Sequence, residues 1–165
     1  MIKDFTFLVK TLFKSKPKDK ECVTLIGLKH FPFKGYKFLM WCGYMIYRLD
    51  NEDNIGKEML TNRFEISKTH ETIHLAQAKM YDSWVRYYLA YFWEWIRHGI
   101  LAPISANYYV SKFESEAYAN DDDFNYCTNY DGKNIVKYKI KNAKRLYKQL
   151  GGTPNAWKQY IKTIE

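Results

Sequence analysis

The stretch SKTHETIHLAQ, residues 67–77, constrains this chain more than any other. His70 and His74 stand four residues apart, and in an α-helix such a pair lies on one face with its imidazoles one above the other. The stretch therefore asks for a helix whose polar face turns toward a shared partner. Glu71 projects beside the pair and completes an H-E-x-x-H pattern. Metal binding is the chemistry that needs this spacing, because both imidazoles can reach one ion. The glutamate is then free to take a proton from water whose pKa the ion has lowered toward neutrality. Gln77, seven residues after His70, shares the face and can orient a ligand or the bound water.

The surrounding pattern predicts an α+β chain that is mostly helical. Residues 3–14 read as a short amphipathic helix, and SKPKDK after it as a loop. ECVTLIGL and YKFLMWCGYMIYRL are rich in β-branched and aromatic residues, and read as two strands of a small N-terminal sheet separated by the turn-prone KHFPFKG. DNEDNIGK reads as a loop. The motif helix is expected to begin between Gly56 and Ser67, with Ser67 or Thr69 as its cap, or earlier near Asn54. Asp82 and Ser83 separate it from an aromatic helix running from Trp84 to about Ile100 and ended by Pro103, so the two form a helical hairpin. A third helix from Ile104 or Tyr108 to Asn120 follows. Ile140, Ala143, Leu146, Tyr147 and Leu150 keep the helical period in a basic C-terminal helix stopped at Gly151. Thr153 and Pro154 cap and open a last short helix. Without repeats or a low-complexity linker, residues 1–165 read as a single domain, long enough to bury a core without staples.

Two histidines need a third ligand. The pattern H-E-x-x-H-x-x-G-x-x-H would supply it locally, but position 77 is Gln and position 80 is Met. Farther along, KFESEAYAND offers Glu114 and Glu116. Here the chain resembles the gluzincins, zincin-type metallopeptidases whose third ligand sits in a pattern close to E-x-x-A-D on a helix packed against the H-E-x-x-H helix. Glu114 and Ala117 match that pattern, whereas Tyr118 stands where the acid is expected. HETIHLAQ followed by an aromatic helix and FESEAYAN also resembles small, uncharacterised bacterial zincin-like proteins, over about residues 64–126. The resemblance implies a Zn2+ site of His70, His74 and Glu114, with Glu71 as general base acting on a peptide or protein substrate. Glu114 is preferred to Glu116 because Ala117 then takes the small position where two helices approach closely. The two glutamates lie on separate helical faces and do not serve one ion together. The resemblance also suggests the strand before the motif helix as a place where an extended peptide adds to the sheet edge.

The other candidates have simpler explanations. His98 suits a cation at a helix C-terminus, His30 a turn, and Tyr108, Tyr109 and Tyr118 packing around the ligand helix. Cys22, Cys42 and Cys127 are odd in number and lack C-x-x-C spacing, which points to a reducing, cytoplasmic setting. The N-terminus lacks the marks of a secretory signal. WVRYYLAYFWEWIRHGILAP is long enough to span a bilayer but carries Arg86, Glu94, Arg97 and His98, so it is expected to be buried or interfacial. The net charge of +8 gathers at Lys10–Lys20 and Lys133–Lys148. It reads mainly as solvated faces, with peripheral membrane contact as the alternative and nucleic-acid binding as the weaker one. A zincin-derived binding or structural module without turnover also fits, since few residues remain to build a substrate-holding subdomain.

Overall fold

The computed structural model describes residues 2–31, 37–98 and 104–164, and it is an α+β fold dominated by helices. Helix α1 spans Ile2–Lys14, and the strands are β1 (Thr24–Leu28), β2 (Leu39–Trp41) and β3 (Tyr44–Arg48). The helices α2 (Glu52–Glu58), α3 (Asn62–Lys79), α4 (Trp84–Ile96), α5 (Ile104–Tyr109) and α6 (Lys112–Asn120) follow. A 3-10 turn over Asn134–Tyr138 leads to α7 (Ala143–Gln149) and α8 (Pro154–Ile161).

The sheet has the order β1-β3-β2, with β3 parallel to β1 and antiparallel to β2. What reads in sequence as one long strand is thus a hairpin. Trp41 pairs with Tyr44, leaving Cys42 and Gly43 as a two-residue loop with φ of 51° and 82°. Positive φ at both positions is what a tight hairpin turn of matching twist requires. Glycine adopts it freely, while Cys42 is held by a hydrogen bond from its N–H to the Tyr88 hydroxyl at 2.9 Å. Tyr88 lies on α4, so the aromatic helix clasps the hairpin.

DNEDNIGK is largely helical: a 3-10 turn at Leu49–Asn51 runs into α2, of which Ile55 is buried in the core. Helix α3 starts after Thr61, whose backbone is extended, and Ser67 lies inside it with its hydroxyl donating to the Arg63 carbonyl at 3.0 Å. A serine in mid-helix satisfies itself this way and needs no chain break. Ser83 caps α4 as expected, accepting from the Arg86 N–H, and Thr153 caps α8 by accepting from Ala156. The stretch 104–120 is two helices, because Ser111 leaves the helical region and caps α6 by accepting from the Glu114 N–H. The expected stop at Pro103 and the end near Ile100 lie outside the described residues, as does most of KHFPFKG.

Two cores flank α6. One, containing Met45, Leu75, Trp84, Tyr87 and Phe113, joins the sheet to α3 and α4. The other, containing Val110, Tyr147, Trp157 and Ile161, joins α5 and α6 to the C-terminal helices. Helix α6 packs directly on α3, with Ala117 fully buried. Whatever α3 and α6 share is therefore sealed between two apolar masses. Among the described residues, no helix is long and apolar enough to cross a membrane.

Candidate metal centre

Helix α3 buries an unusual set of side chains for an 18-residue helix: His70, Glu71, His74 and Gln77 are all turned inward alongside Ile73 and Leu75. Buried polar groups cost free energy unless they find partners. The partners come mainly from α6, with others from α4 and β2.

His70 and His74 bring their Nε2 atoms to 3.2 Å from each other. Glu114, on the first turn of α6, faces both, with its Oε2 at 3.3 Å from His70 Nε2 and its Oε1 at 3.1 Å from His74 Nε2. All three residues are buried, and one ligand atom from each lies within 4.8 Å of the others, so the group could hold a metal ion. An orphaned atom supports that fit: Glu114 Oε2 is buried with no completed hydrogen bond. Two imidazoles and a carboxylate are also a donor set suited to a divalent transition metal.

The charges are strongly coupled. Burial pushes the His74 pKa down, but Glu114 beside it more than compensates and lifts it to about 9. Burial would raise the Glu114 carboxyl, yet His74 and His70 hold it well below the usual carboxylate range. Glu71 is buried and raised, chiefly by desolvation, although His70 and His74 pull it down and a backbone hydrogen bond from Met40 supports its charged form. Glu71 thus stands beside the cluster, anchored to β2, and is not one of the three grouped ligands.

His74 has an orienting partner on its far side, and His70 has a nearby charge. His74 Nδ1 is 2.8 Å from Gln77 Oε1. The Gln77 amide nitrogen donates to the Phe113 carbonyl at 2.9 Å and to Glu116 Oε2 at 2.8 Å. Both of its hydrogens face acceptors, so Oε1 is the atom left for His74, and Nδ1 must carry the donated proton. The His74 Nε2 is thereby left toward Glu114. His70 Nδ1 lies 3.9 Å from Asp121 Oδ2, and Asp121 is itself gripped by Lys158 of α8 at 2.7 Å. Tyr118 packs against the His70 ring with centroids 4.5 Å apart, and the Tyr91 hydroxyl donates to Glu114 Oε1. Desolvation keeps Tyr91 well above the usual phenol range, so it stays a donor.

Glu116 faces elsewhere. Its carboxylate receives Gln77, Tyr126 at 2.9 Å and Tyr130 at 2.9 Å. His98 is 3.7 Å from Glu94 at the end of α4, and the His30 N–H donates to Asp4. Neither belongs to the grouped ligands. Two contributors escaped the sequence: Asp121 and Tyr91. Asp121 is seven residues after Glu114, a spacing that returns to the same helical face, whereas the E-x-x-A-D pattern expects its acid at the fifth position, where Tyr118 stands. Nothing separates Tyr91 in sequence from its aromatic neighbours. No protein-family model, curated protein or solved structure matches the chain.

Proposed function

We propose that the protein is a zinc-dependent hydrolase acting on peptide bonds, with His70, His74 and Glu114 as zinc ligands and Glu71 as general base. The buried convergence of the two imidazoles and Glu114, with one carboxylate oxygen unsatisfied, carries this proposal. Zinc binds nitrogen and oxygen at about 2.0–2.2 Å, so two ligands at a tetrahedral angle stand about 3.3–3.5 Å apart. The two imidazole nitrogens are 3.2 Å apart, and the contacts of 3.3 and 3.1 Å run from them to different oxygens of Glu114, all near that edge length.

When bound, the ion supplies Lewis acidity, lowering the pKa of water and polarising the scissile carbonyl. Gln77 keeps His74 in the tautomer whose Nε2 can ligate. Asp121 places a negative charge 3.9 Å from His70 Nδ1. Glu71 receives the proton of the attacking water, and its raised pKa makes the carboxylate a better proton acceptor than a solvated glutamate. The same proton is then available to the leaving amine.

One observation favours a second reading, a metal-holding module without turnover. Met40 of β2 already donates to Glu71, its carbonyl receives the Tyr88 hydroxyl at 3.4 Å, and the N–H of Cys42 is also taken by Tyr88. A peptide adding to this edge would find those groups engaged. Elemental analysis and peptidase assays of wild-type, His74→Ala and Glu71→Gln proteins separate the two. For the hydrolase, wild type holds one zinc, His74→Ala loses it, and Glu71→Gln keeps it while turnover falls by about 10²–10⁴-fold. Zinc without measurable turnover in the wild type selects the module, and the absence of zinc removes both.

A further inference from the structure

Outside the metal centre, α1 leaves one face without a partner among the described residues. Phe5, Val9 and Phe13 recur at four-residue spacing and form a single stripe, 67%, 39% and 71% exposed. Its opposite face is engaged: the Leu8 carbonyl and Thr11 hydroxyl accept from Trp41 Nε1, Ser15 accepts from Trp84 Nε1, and Phe7 packs on Tyr44. Helix α4, which packs on α1, adds Leu89, Phe92 and Trp93, exposed by 63%, 50% and 68%. Large apolar side chains gathered this way mark an interaction surface.

Lysines border the stripe. Lys10 and Lys14 follow Val9 and Phe13 by one residue, a turn of about 100° around the helix. Lys3 shares their side of α1, Lys16 and Lys18 continue beyond its end, and all five are exposed. From Lys3 to Lys20 six lysines stand against two acids, Asp4 and Asp19, so the segment stays basic. Asp4 is half-buried and accepts from the His30 N–H, while Asp19 turns back to accept from the Lys16 N–H.

We propose that the α1–α4 face docks on an anionic lipid surface, with Phe5, Val9, Phe13, Leu89, Phe92 and Trp93 entering the headgroup boundary and the lysines meeting acidic headgroups. An amphipathic helix with a lysine-rich side and a Phe-rich side is built for that boundary. A second copy would bring a matching set of lysines against this one, so the charge favours an anionic partner. Aliphatic Val9 and Leu89 offer a nucleic acid nothing to stack on.

Flotation of the full chain with vesicles tests the proposal, using phosphatidylcholine alone and an equimolar mixture with phosphatidylserine. The mixed vesicles should carry the protein and the neutral ones should not. Adding salt should release it. Replacing both Lys10 and Lys14 by Ala should weaken partitioning by about twenty-fivefold, at about fivefold for each lysine near such a surface. Phe13→Ser should abolish it with circular dichroism unchanged, and Phe92→Ser, on the other helix, serves as the second apolar variant. No flotation on the mixed vesicles at low salt overturns the proposal. So does flotation unaffected by all these substitutions. Lipid-free self-association that the same substitutions abolish would instead assign the face to a second copy, also overturning it.

Discussion

Two carboxylates two residues apart on α6 have nearly equal burial and opposite electrostatics. Glu114 is 1% exposed and Glu116 is 0% exposed. Desolvation pushes both carboxyls toward the neutral form, but only for Glu114 do neighbouring charges reverse it. Glu116 is surrounded by neutral donors, the Gln77 amide and the Tyr126 and Tyr130 hydroxyls, which lower its pKa without overcoming burial. Glu114 has one neutral donor, Tyr91, and two imidazoles. Burial alone thus says little about what a carboxylate is for. Its donors decide: one site is a completed hydrogen-bond nest, the other a negative charge suited to a cation. Gln77 touches both, with its oxygen toward the histidine and its nitrogen toward the nest.

The largest effect that tests this contrast is isosteric substitution on each side. Glu114→Gln should reduce bound zinc from one per chain to none. Glu116→Gln should retain the metal and cost about 1–3 kcal/mol of stability, the penalty for a buried group whose partners no longer match. Inductively coupled plasma analysis beside chemical denaturation reads both. Equal metal loss in the two variants would dissolve the distinction. Cutting the link is milder: Gln77→Leu should lower zinc affinity about 10–100-fold in a chelator competition, the usual cost of losing an orienting partner behind a metal-ligating histidine.

The gentlest perturbation is pH. The His74 pKa is raised to about 9 by Glu114 against the pull of burial, so a zinc ion binding there, as proposed, would have to displace a proton at neutral pH. Affinity should therefore rise about tenfold per unit as pH climbs from about 7 toward 9, and level off above. The metal-free protein should show the reverse. The protonated His74 stabilises it fully below its ordinary value of 6.5, and that contribution is lost as pH rises through about 9. Glu114, whose pKa is lowered, contributes above its ordinary 4.5 and loses that contribution as acid protonates it. Thermal melts of stripped and zinc-loaded protein across this range check both signs.

How much of this was legible depends on the distance over which each signal acts. Ser83 before Trp84 and Thr153 before Pro154 state their helix starts within four residues, and both hold. The i, i+4 histidines announced their shared face. The hairpin between β2 and β3 was hidden because Cys42–Gly43 lacks the usual Asn-Gly or Asp-Gly signature; its turn is supported by Tyr88, 46 residues away. Helix α2 was hidden because its seven residues are almost all polar. The nest around Glu116 draws Tyr126 and Tyr130 from an irregular stretch, where no periodicity foretells which way a side chain turns. The cap at Ser111 was readable in principle, since a serine three residues before a glutamate is a helix-start signal.

That cap has a kinetic side. Because Ser111 begins α6, Glu114 occupies the first turn of the helix, where unpaired N–H groups and the macrodipole favour negative charge. The carboxylate is charged and aimed before any ion arrives, on a helix whose start is tied by the Glu114 backbone itself. If the site takes an ion as proposed, a stripped protein should recover its metal without refolding of α6.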